Sequence, residues 1–223
     1  MTITEKKLTQ ATGISAAVAG LLFIGIQINH PHLDVTSIVT TEVIIRNSLK
    51  VLMAVLALAG ITGMYLSRVR RNGVLGLIGY LLLSVGYLSI MSTTLIAAYV
   101  LPAIADTSPG FVSNALAAAT ARTVTEDIGP LQTVFQVQGF AYLAGGLFLG
   151  VALFRAHVLS RWASALLAVG GLLTAVLSLM PDAFYRLLAF PTGIALIGLG
   201  YSLYRVASAT RSPEPMVAVD ATV

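Results

Sequence analysis

The sequence predicts an all-α fold, a polytopic membrane bundle of six transmembrane helices. Hydrophobic residues fill 57% of 223 positions and charged residues only 10%, against roughly 25% charge in soluble domains. Mean hydropathy is +0.90. The apolar residues gather in six runs, near 10–29, 45–67, 73–102, 130–154, 161–180 and 184–205, each suited to a hydrocarbon core that takes about 20 helical residues to cross. Residues 1–206 read as a single six-helix transmembrane domain and 207–223 as a flexible cytoplasmic tail.

In the first run, Lys6 and Lys7 precede an apolar stretch too long for a signal-peptide core, and no A-x-A-like cleavage site follows, so it reads as a retained signal-anchor helix. It ends at NHPHLD, residues 29–34, because Pro31 drives His30 away from helical torsions. The second run opens TEVIIRNSLK. Thr40 or Thr41 can serve as N-cap there, and Glu42 meets the positive helix end. Glu42, Arg46 and Lys50 are four apart and form one stripe. The third run has no charge between Arg71 and Asp106, more than a perpendicular crossing needs, which predicts a tilt.

The connection 103–129 is long, and connections of that length tend to be functional or disordered. Ser108-Pro109 can open a short helix there, and the small, charge-free stretch 111–121 is expected to lie at the interface or to cap the bundle. In the fourth run Gln132 and Gln136 share a face while Gln138 points elsewhere. In the sixth, Pro191 removes the bond to the carbonyl of residue 187, which predicts a kink eased by Thr192 and Gly193.

Orientation follows from the cations. With the N-terminus inside, nine Lys and Arg residues (Lys6, Lys7, Arg68, Arg70, Arg71, Arg155, Arg161, Arg205 and Arg211) lie on one side. Four lie on the other: Arg46, Lys50, Arg122 and Arg186. The positive-inside rule then puts both termini in the cytoplasm and NHPHLD outside the plasma membrane. Helices without a hydrophobic drive between them approach through small residues. Gly13 with Ala17, Ala16 with Gly20, Gly146-x-x-x-Gly150, and Gly198, Gly200 and Ser202 supply such faces. The GxxxG pair serves packing within the bundle or a homodimer seam. Ala19-Gly20-x-Leu22-Phe23-x-Gly25 recurs as Ala144-Gly145-x-Leu147-Phe148-x-Gly150, and AVLALAGI from Ala54 resembles ALLAVGGL from Ala165. Three helices plus three would make such repeats inverted, as in many transporters.

The chain has no cysteine, which excludes disulfides, thiolate nucleophiles and thiol-ligated clusters. No charged or histidine residue lies near the middle of a span, so no intramembrane proton relay is expected. Polar chemistry gathers at the outer face. If NHPHLD runs extended, His30, His32 and Asp34 project to one side and become candidate ligands for a divalent metal. Otherwise no cofactor is expected. Candidate acid–base residues are His30, Asp34, Glu42, Glu126, Asp127 and Asp182, and Arg46, Lys50 and Arg186 are candidates for binding an anion or lipid headgroup. The scattered cations make membrane lipids sufficient partners, with a homodimer or another membrane protein open and nucleic acid not implied.

The stretch GGLFLGVALFRAHVLSRWASALLAVGGLLTAV, through Arg155, Val158, Leu159, Arg161, Trp162 and Ala163, resembles uncharacterised small polytopic six-helix membrane proteins of actinobacterial type. The resemblance implies topology and no activity. The leading expectation is therefore a non-catalytic, lipid-associated or partner-binding membrane component with an outward polar cap. One alternative is an outer-face enzyme acting on a lipid or isoprenoid by acid–base or metal-assisted chemistry. The other is a small-solute transporter built from inverted three-helix repeats.

Overall fold

The computed structural model describes residues 3–177, 187 and 189–209, and all regular structure among them is helical. Helix α1 spans Glu5–Gln27, capped by the Thr4 hydroxyl, which accepts from Lys7 N–H at 3.3 Å. It stops where Ile28 turns extended and Asn29 adopts a left-handed φ of 51°, just ahead of Pro31. Helix α2, Thr41–Leu66, has Thr40 as N-cap, accepting from Val43 N–H at 3.4 Å, and Glu42 in its first turn. Helix α3, Val69–Leu95, kinks at Gly73, whose φ of 60° is not helical, and from there continues through a π-helical turn, Ile96–Val100, into the short α4, Leu101–Ile104. The long outer connection folds as α5, Pro109–Ala119, with Pro109 in its first turn. Helices α6, Pro130–Ala156, α7, Arg161–Leu177, and α8, Ala189–Ala209, complete the bundle.

Among the described residues, four stretches are long and apolar enough to cross a membrane: Glu5–Gln27, Thr41–Leu66, Val69–Ile104 and Pro130–Ala156. These apolar helices fit a membrane protein. Each long helix packs against the next in sequence, and α8 returns to α1, so the bundle closes on itself. The closing seam is built from glycine. A methyl group at Gly200 would lie 2.5 Å from Gly13 O and 2.7 Å from Ala17 N, and one at Gly193 would lie 2.8 Å from Gly20 O. Backbones this close replace the hydrophobic drive that lipid removes. The Gly146 and Gly150 face is occupied by α7: a methyl on Gly150 would sit 2.5 Å from Ala168 N.

Lys6 Nζ donates to Ser208 O at 3.1 Å and Gln10 Nε2 to Ser208 Oγ at 2.9 Å, tying the start of α1 to the end of α8. Tyr65 and Tyr80 stack with centroids 5.0 Å apart. His157, with φ of 54°, closes α6 in the left-handed conformation, a C-terminal stop that satisfies helix geometry. A second, smaller core joins Ile38, Val43, Leu101 and Ala105 to Val112, Ala115 and Leu116 of α5. The stretch expected as a cap is therefore a helix seated on the bundle.

The last described helix is Ala189–Ala209, with Pro191 inside it; residue 188, just before it, lies outside the described residues, and so does the kink expected at Pro191.

The seam makes a direct prediction. Gly200→Leu should lower stability by about 1–3 kcal/mol through overpacking, read as a lower melting temperature in detergent. Gly139→Ala, whose added methyl meets nothing within 4 Å, should leave the midpoint unchanged.

Candidate functional site

Beneath α5 lies a cavity of ≈ 200 Å³. Its wall is mostly apolar: Phe23 from α1, Met53 from α2, Ile90 from α3, Leu116 from α5 and Phe135 from α6. Tyr142 stands at its edge, in an edge-to-face pair with Tyr87 at 5.6 Å. The π turn contributes Ile96 and Ala97. Such single-turn bulges cluster at functional sites because they re-aim side chains without ending the helix.

Polar groups enter the cavity at two places. On the α3–α6 side, the buried Thr93 hydroxyl donates to Gln138 Oε1 at 2.8 Å. On the α1–α2 side, His30, Asn47 and Lys50 form one cluster. Asn47 and Lys50 are three apart on α2 and so share a face, and His30 hangs over them from the end of α1. Lys50 Nζ donates to His30 Nε2 at 3.2 Å and to Asn47 Oδ1 at 3.3 Å. His30 Nδ1 lies 2.9 Å from Pro31 O, an atom that can only accept. That contact puts the ring proton on Nδ1 and leaves Nε2 to receive the ammonium. The Lys50 contact likewise fixes the Asn47 amide, since turning it over would set NH₂ against NH₃⁺. Asn47 Nδ2 then points away from Lys50; it is buried and has no hydrogen-bond partner among the described residues.

The other outer residues are arranged differently from the extended reading of NHPHLD. His30 is 7% exposed and lines the main cavity, whereas His32 and Asp34 are exposed and line a separate pocket of ≈ 280 Å³ beside Arg122 and Asn114. Among the described residues no three His, Asp or Glu side chains come together as a metal group. Asp34 instead organises its own turn. Its Oδ1 accepts from the Thr36 hydroxyl at 2.7 Å and from the N–H groups of Thr36 and Ser37 at 2.9 and 2.7 Å. The Thr36 hydroxyl first, then the Ser37 amide, hold this carboxyl below its ordinary value.

Arg46 makes four contacts. Its Nε donates to Glu42 Oε1 at 2.9 Å, Nη1 to Ile26 O at 2.7 Å and Ile28 O at 3.0 Å, and Nη2 to Asn29 O at 3.4 Å. It caps the open carbonyl end of α1 and, with Glu42, borders an outer groove between α1 and α2 rather than the cavity. Glu126 and Thr125 donate backbone N–H to Asn114 Oδ1 at 3.2 and 2.7 Å, which ties the loop after α5 back onto it. Asp127 Oδ1 accepts from Gly129 N–H at 2.7 Å, shaping the entry to α6. Arg122 Nη2 donates to Leu33 O at 3.3 Å, joining that loop to the NHPHLD segment. Asp182 and Arg186 lie outside the described residues.

The structure thus brings His30 and Lys50 together, with Gln27 and Gln138 lining the same cavity. It separates both from Asp34, Glu42, Glu126 and Asp127. Asn47 and Thr93 are the site residues that sequence reading passes over. An amide three residues from Lys50, inside an apolar run, is the signal that points to Asn47.

No family model, no curated protein and no solved structure matches this chain.

The Asp34 turn predicts its own pH response. A carboxyl with a lowered folded pKa stabilises its turn above the ordinary value of 3.8, and that contribution disappears as pH falls through the lower folded value. The amide shifts of Thr36 and Ser37, followed by NMR, should titrate with a midpoint below 3.8. Asp34→Asn should abolish the transition.

Proposed function

We propose that this chain is a six-span plasma-membrane protein, both termini cytoplasmic, that holds a lipid-like molecule in its outer half without transforming it. The Lys6–Ser208 contact supports termini on one side of the membrane, and nine of the thirteen Lys and Arg residues in the chain fall on that side. The observation that carries the reading is the cavity itself. It has an apolar wall, a small donor cluster at one side and a helical cap, the combination expected of a ligand site.

At ≈ 200 Å³ the cavity is below the about 300–1,000 Å³ of drug-sized ligand sites, so a single narrow chain suits it better than an entire two-chain lipid. Separation of Asp34, Glu42, Glu126 and Asp127 from His30 favours binding over acid–base chemistry. General catalysis needs its groups within hydrogen-bond reach of one reacting atom.

Filling the space tests this. Leu116→Trp should expel the occupant, and solvent extraction of detergent-purified protein followed by mass spectrometry should find a single-chain lipid with the parent and none with the variant. Equal recovery from both would sink the proposal.

A second reading, transport through inverted repeats, has one observation behind it. Gly20 meets α8 at Gly193, and Gly145, its counterpart in the recurring motif, meets α3 at Leu83. Exchange of the halves therefore carries one seam onto the other. Alternating access would open the inner half as well. The cysteine-free chain permits a clean test with Ser164→Cys, at a position buried in this state. Labelling by an impermeant maleimide from the cytoplasmic side would favour transport, and complete protection would favour a static binder.

A further inference from the structure

We propose that the ligand of the outer cavity is a single-chain amphiphile with an oxyanion head, a carboxylate or a phosphate, received by Asn47 Nδ2 and the Lys50 ammonium. This rests on the cavity being a lipid-binding site and adds the chemistry of the head.

The argument starts from the orphaned amide. Asn47 is 2% exposed and its Nδ2 donates to no described residue. Leaving a buried donor unmade costs roughly 1–3 kcal/mol, and in a membrane span no bulk water compensates it. A side chain so placed on a cavity wall asks for an acceptor from the cavity. The Lys50 contact with Oδ1 at 3.3 Å leaves Nδ2 as the unpartnered end of the amide and keeps a cation within a few ångströms of it. Hydrogen bonds from an ammonium and an amide to an ionised oxygen are roughly twice as strong as neutral pairs. This distinguishes a carboxylate or phosphate from an alcohol.

His30 contributes orientation. With its proton on Nδ1, its Nε2 receives Lys50 at 3.2 Å and holds the ammonium over the cavity side of α2. Among the described residues lining the cavity there is no Asp or Glu to repel an anion. From the head the apolar chain would run along Phe23, Met53, Leu116 and Phe135, each buried CH₂ adding about 0.8 kcal/mol relative to water. A head without a chain gives up that term, and a chain with a hydroxyl gives up the charge-assisted bonds.

The experiment uses the full chain, purified in detergent and reconstituted in nanodiscs, with four probes: farnesyl phosphate, palmitate, farnesol and inorganic phosphate. Saturable binding of farnesyl phosphate or palmitate is expected, with farnesol at least about tenfold weaker and inorganic phosphate not competing. Which of the first two binds tighter assigns the head as phosphate or carboxylate. Asn47→Leu and Lys50→Met should each weaken the anionic probe by about tenfold or more. The near-isosteric Asn47→Asp, which replaces the donor by an anion and should fold, should abolish that binding.

Farnesol binding as tightly as the anions, or Asn47→Asp binding them unchanged, overturns the oxyanion head while leaving the cavity as a lipid site. Inorganic phosphate competing at the same concentration as the amphiphiles overturns the requirement for a chain. No saturable binding of any of the three chains overturns the lipid-binding reading itself.

Discussion

Everything in this molecule depends on how closely two backbones can approach where no water is present to drive them together. The α1–α8 seam is the clearest case, with Gly13, Gly20, Gly193 and Gly200 set so that each faces main-chain atoms of the other helix. The same means fastens α1 to α2 at Gly60 and Gly63, where Ala16 and Thr12 fill the space a side chain would take. Along α1 and α2 these contacts lie toward the start of α1 and the end of α2. Toward the other end the cavity is lined by Phe23 and Gln27 of α1, His30 just beyond it, and Met53, Lys50 and Asn47 of α2. Long side chains cannot mesh as glycine and alanine do, and the cavity lies where they take over.

The polar groups follow from the same geometry. Where helices separate, main-chain groups at helix ends need partners from elsewhere, and Arg46 supplies them to the carbonyls of Ile26, Ile28 and Asn29. A guanidinium can do this because its donors form a fixed fork. Arg46 therefore positions the end of α1, which positions His30, which positions Lys50. The ion pair with Glu42 is a smaller part of its role, since exposed i,i+4 pairs contribute only about 0.3–0.5 kcal/mol.

Much of this was legible in the sequence. Composition gave the class, Thr40 and Glu42 gave the start of α2, Pro31 gave the end of α1, and Ser108-Pro109 gave a helix in the outer connection. These are local rules, each acting over a few residues. The site was legible only in part, because its contacts join distant positions. Arg46 reaches carbonyls 17 to 20 residues away, and Gln138 meets Thr93 across 45, spacings that no helical periodicity encodes. NHPHLD misled for a related reason. Alternation along an extended strand requires a strand, and residues 28–33 form none: His30 lines the cavity beneath α5 and His32 a different pocket.

The π turn at Ile96–Val100 has a consequence for how such a protein could arise. A π turn holds one residue more than the α-helical turn it replaces, so everything beyond it is rotated by about one residue's angle relative to everything before it. Before the turn, Ile90 and Thr93 face the cavity; beyond it, Leu101 and Ala105 pack beneath α5. Cavity wall and cap seat are thus set in phase by one inserted position. A lineage lacking that residue would keep the same six apolar runs and the same glycine seam, yet present a different stripe of α4 to the cap. Binding capacity in such a bundle could then be gained or lost through a single codon's insertion, with hydropathy and topology unaltered.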